Sequence, residues 1–165
     1  MDRKWIRGML VGSGAFVAAN VVSNIVFFQL GAPLLFNPST QSEKLLSVFF
    51  EMEPLPLMFT NGPLYLAIAA IIGLLHGAVF VLVEPALPAG RIKKGLAFGG
   101  IVWGLMALYF EFHVPFNMFG EPIGLVALEL LFWVPVAAVE GLVLAWGYGK
   151  RKSSRERHTI GTEHS

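Results

Sequence analysis

Three ionisable side chains stand inside long apolar stretches of this chain: His76, Glu129 and Glu140. An ionisable group in hydrocarbon costs about 2.5–3.5 kcal/mol on insertion scales, so each asks for a chemical reason. Asn20 and Asn24 add an uncharged pair at i and i+4, on one face of a helix. Helical rise places His76 about 12 Å from one end of its stretch and Glu140 at a similar depth from Tyr148. The two are expected to meet. A Glu–His pair in low dielectric shares a proton, and its titration belongs to both partners. Glu129 and Glu140 are about three helical turns apart, so they share a face with Trp133 and Val136. Glu111 and His113 lie where the preceding stretch ends. Together these residues outline a polar track. Glu111 and His113 form its mouth, Glu129, Asn20 and Asn24 follow, and Glu140 with His76 lies deepest. Such a track relays protons, or binds a small cation or polar solute. The competing reading is interhelical hydrogen bonding by protonated carboxyls, and the sequence favours it.

Other chemistry is poorly served. The chain has no cysteine, which removes disulfides, thiolate metal sites and thiol redox steps. Of the four histidines, His158 and His164 lie in the C-terminal tail, and His76 and His113 fall on different helices. No H-x-x-x-H or E-x-x-H spacing occurs, so no metal site is expected. Haem requires an axial ligand, for which His76 is the one histidine at depth; no cofactor is expected. Neither G-x-S-x-G nor a phosphate loop is present, and Ser13, between Gly12 and Gly14, relaxes packing. The chain reads as a non-enzyme.

The elements that must position these residues are membrane spans. Of 165 residues, 55% are hydrophobic and 14% charged. Four apolar stretches, about 6–30, 63–83, 95–112 and 123–146, are each long enough to cross ~30 Å of hydrocarbon. The first is too long for the apolar region of a signal peptide and is read as an uncleaved span. Eleven of the twelve Lys and Arg residues fall in three clusters between the stretches: Arg3, Lys4, Arg7; Arg91, Lys93, Lys94; and Lys150, Arg151, Lys152, Arg155, Arg157. The positive-inside rule then places both termini and the middle loop in the cytoplasm. Glu43, Glu51, Glu53, Glu111 and Glu121 fall on the outer side, with Lys44 the lone cation there. The expected fold is an all-α integral membrane four-helix antiparallel bundle over residues 1–152. A disordered cytoplasmic tail covers 153–165, and a short amphipathic helix near 42–50 lies in the first outer loop. The third span is expected to be the shortest, followed by an outer loop over 114–121.

Glycines four apart, Gly8/Gly12, Gly73/Gly77, Gly95/Gly99 and Gly100/Gly104, predict close helix contacts. Pro135 is expected to kink the fourth span. The halves also echo one another. Both first helices open on basic residues and a Gly-x-x-x-Gly, and His76-Gly77 matches Glu140-Gly141. A parallel repeat of two hairpins would explain this. The leading functional expectation is a structural or accessory subunit acting through helix contacts. Its partners are the bilayer, anionic lipid at the basic clusters, and a second copy or membrane partner on glycine faces; nucleic acid is not expected. The alternative is a small proton-coupled transporter or solute-binding subunit. An intramembrane enzyme or haem protein comes third.

Overall fold

The structure, a computed structural model, describes residues 2–149. The tail 153–165 and the third basic cluster lie outside them. Four long apolar helices, Arg3–Leu30 (α1), Gly62–Ala86 (α5), Arg91–Phe119 (α6) and Ile123–Tyr148 (α7), are each long and apolar enough to cross a membrane, with mean hydropathies from 1.5 to 2.6. Three short helices, Ala32–Leu35 (α2), Glu43–Phe50 (α3) and Leu57–Thr60 (α4), occupy the long first connection. Among the described residues there is no strand.

Local chemistry sets the boundaries. The Asp2 carboxylate accepts from the Lys4 N–H at the start of α1, and the Asn61 side chain accepts from the Leu64 N–H at the start of α5. Each satisfies a first-turn donor that has no partner within its helix. Gly120, at φ 68°, closes α6 in a left-handed conformation that disfavours a side chain.

The third long helix is the longest, against expectation. Its last part, Phe112–Phe116, is wound as a π-helix with Pro115 inside it. Wider turns accommodate a ring that would clash in α-winding and lacks an N–H. Helix therefore continues to Phe119, through residues expected in a loop. α1 likewise ends in a π-wound stretch, Asn24–Leu30. Pro135 sits inside α7, which runs unbroken past it.

Two glycine seams assemble the long helices. α1 packs on α5 and on α7, and α6 packs on α7. In the α1–α5 seam, a Cβ added to Gly73 would lie 2.6 Å from the Gly12 carbonyl oxygen, and one on Gly8 would meet Val81 and the Gly77 carbonyl. In the α6–α7 seam, a Cβ on Gly99 would lie 2.6 Å from the Ala137 carbonyl, and one on Gly95 2.9 Å from that of Gly141. The correspondence is residue for residue: Gly8 is to Gly77 as Gly95 is to Gly141. Gly100 and Gly104, expected to make a close contact, face open space, with nothing within 4 Å of an added Cβ. The seam is formed by Gly95 and Gly99, and a helix turns Gly100 by about 100° from Gly99.

α5 and α6 share no comparable seam. They meet where the short connection joins them: Phe80 lies edge-on to Phe98 at 5.1 Å between centroids, and Lys94 pairs with Glu84. This is the basic end of the molecule. Ala15, Phe80, Phe98, Leu144 and Ala145 form a closed apolar core there. Arg7 donates to the carbonyls of Gly147, at 2.7 Å, and Gly149, at 3.0 Å, tying the start of α1 to the end of α7.

Candidate functional site

His76, on α5, and Glu140, on α7, each precede a seam glycine by one residue. Gly77 and Gly141 hold the backbones close to α1 and α6, and that placement turns His76 and Glu140 toward each other. His76 Nδ1 lies 2.5 Å from Glu140 Oε1, with the two side chains 12% and 3% exposed. Each side chain thereby has a polar partner at a depth where an unpaired one would be costly. Phe16 lies edge-on to the imidazole at 4.7 Å. Among the described residues, Nδ1 is the imidazole nitrogen found in a hydrogen bond.

A cavity of about 250 Å³ adjoins the pair. Phe16, Trp103, Phe110 and Trp133 form much of its wall, and His76, Glu140, Asn20 and Ser23 are its polar points. α5 contributes His76 alone to the lining. Beyond the Phe80–Phe98 contact, therefore, the space between α5 and α6 is not closed by a seam. Met106 and Phe110, both about half exposed, mark that side.

A second polar centre lies at the acidic end. One carboxylate oxygen each from Glu111, Glu121 and Glu129 lies within 4.8 Å of the others, and all three residues are buried. Glu111 accepts from the Trp133 indole N–H at 2.5 Å, and Glu121 accepts from the Gln41 amide at 2.5 Å. The same Gln41 amide donates to the Leu35 carbonyl at 2.9 Å, Ser42 donates to the Phe119 carbonyl, and Lys44 donates to the Met118 carbonyl. The first connection thus straps the short loop down and carries Glu121 inward. Burial pushes the Glu121 carboxyl up from its ordinary range; the Gln41 hydrogen bond pulls it back and the Glu111 charge adds to the rise. The second oxygens of Glu111 and Glu121 are buried and, among the described residues, have no hydrogen-bond partner outside the trio. Trp133 joins the two centres, bonding Glu111 with its nitrogen while its ring lines the cavity.

The structure thus brings together His76 with Glu140, and Glu111 with Glu129. Asn20 borders the cavity, accepting from the Tyr65 hydroxyl at 2.6 Å and donating to the Phe16 carbonyl at 2.8 Å. It does not bring in Asn24, which is exposed and accepts from the Gln29 amide at 3.4 Å. Nor does it bring in His113, which is exposed and stacked on Tyr109 at 4.0 Å between centroids. Glu121, Gln41, Tyr65 and Trp133 were not among the expected track residues. The sequence reading puts Trp133 on the face shared by Glu129 and Glu140, and Glu121 in the outer loop. Comparison with family models, curated proteins and solved structures finds no match to this chain.

Proposed function

We propose that the chain is an integral membrane protein of four spans, with both ends cytoplasmic, that binds a largely apolar ligand against a proton-sharing pair inside the bilayer. The observation that carries this reading is the cavity beside His76 and Glu140. A pair serving only as interhelical glue has no need of a space next to it, and a well-packed apolar replacement is often as stable. Here the imidazole engages Glu140 through Nδ1, and among the described residues no hydrogen bond to Nε2 is found at the wall of an aromatic-lined space. An occupant suited to it is mostly apolar with one hydrogen-bonding group, and it enters from lipid between α5 and α6. A hydrogen bond at Nε2 changes which partner holds the shared proton, so ligand binding and protonation are coupled. The basic clusters at one end and the acidic residues at the other support the orientation. The matched seams and matched π-wound ends support a duplicated hairpin.

The test is a thermal-unfolding screen of the purified chain in detergent against decylubiquinone, a long-chain prenol and a lysophospholipid. A ligand that binds the folded state raises its stability. At least one of the three should raise the melting temperature of the native protein, with the rise lost in Ala107→Phe, which fills the cavity. No rise with any of them, or a rise that Ala107→Phe leaves intact, overturns the reading.

A second reading, an accessory subunit held by helix contacts, rests on Gly100 and Gly104. They present a small-residue face with nothing packed on it. Gly8, Gly12, Gly73, Gly77, Gly95 and Gly99, by contrast, are used within the chain.

A further inference from the structure

We infer that Glu111, Glu121 and Glu129 form a binding site for a hard divalent cation, with calcium as the best fit. The three oxygens come from three separate segments, the second half of α6, the loop after it and the second turn of α7, yet lie within 4.8 Å of one another. Neither of the ion pairs found among the described residues, His76–Glu140 and Lys94–Glu84, involves the trio. The independent sign of a ligand is the pair of oxygens left over. Glu111 is 1% and Glu121 2% exposed, and among the described residues the second oxygen of each has no hydrogen-bond partner outside the trio. A buried acceptor without a donor costs free energy, which a bound cation would return.

Those oxygens are also held in place. Trp133 fixes the other oxygen of Glu111 and Gln41 fixes that of Glu121, each at 2.5 Å. Outer hydrogen bonds of this kind orient the carboxylates of metal sites. An all-oxygen donor set selects calcium, magnesium or manganese over softer metals. A span within 4.8 Å admits either ion. Three protein carboxylates suit calcium, since magnesium keeps several waters and takes one or two carboxylates. This site is separate from the cavity, and failure of the apolar-ligand screen leaves it standing.

Trp133 supplies the readout, because its indole touches a proposed ligand. The full chain, purified in detergent and freed of metal by chelation, is titrated with terbium as a calcium probe while tryptophan is excited. Terbium luminescence should rise saturably, fall when calcium is added, and drop severalfold in Trp133→Phe. Calcium in hundredfold excess over its dissociation constant should raise the native melting temperature by about 5 °C. Glu121→Gln and Glu129→Gln should each abolish both responses. If one variant does not fold, the other and the native titrations still decide. Absence of any calcium effect on the native protein means that protons alone occupy the trio, and overturns the proposal. So does a luminescence that survives both variants, which would place the ion on exposed carboxylates.

Discussion

His76 and Glu140 test how well depth can be counted from a sequence. Both sit about eight residues from a boundary, and the structure places them 2.5 Å apart. In thermal unfolding of four variants at fixed pH, His76→Gln and Glu140→Gln should each destabilise, because the remaining partner is stranded in a low dielectric. The double variant should be more stable than the sum of the singles predicts, by about 1–2 kcal/mol. Strict additivity would show that the two side chains do not interact. Glu121 could not be found by such counting. Its burial depends on Gln41 and Ser42, some eighty residues earlier, and no local pattern reports a strap between two loops. His113 was misplaced for the opposite reason. It lies close to Glu111 in sequence, but the π-wound stretch around it leaves its ring on the exposed side against Tyr109.

Helix boundaries were legible where charge and capping residues mark them, and less so where winding changes. The amphipathic helix expected near 42–50 appears as Glu43–Phe50, beginning after Ser42. The third helix outran its expected end because π-turns carry Pro115 within it. Glycine spacing identified the seams but could not say which of two overlapping pairs on α6 faces inward. Substitution separates them. Gly77→Leu and Gly99→Leu place a side chain against a neighbouring backbone and should destabilise by about 1–3 kcal/mol or more in detergent unfolding. Gly100→Leu meets open space and should change stability far less, as should Leu96→Ala on the half-exposed side of α6. Equal losses at Gly99 and Gly100 would argue against the α6–α7 seam.

For the molecule as a whole, the basic residues of α1 and of the α5–α6 connection gather at one end, while the carboxylate trio lies at the other. In a chain without cysteine, labelling can read the orientation directly. Ser39→Cys should react with an impermeant maleimide applied to intact cells, and Ala89→Cys should react only after the membrane is opened. The reverse pattern would invert the proposed topology. The two seams also bear on the order of assembly during synthesis. Gly8 and Gly12 find Gly77 and Gly73, and Gly95 and Gly99 find Gly141 and Ala137, so each hairpin holds both faces of its own contact. Nothing made after residue 91 is needed to close the first hairpin. What that hairpin lacks alone is a partner for His76, which the last helix brings as Glu140. The ionisable pair thus belongs to the joining of two finished halves, the step that also creates the cavity.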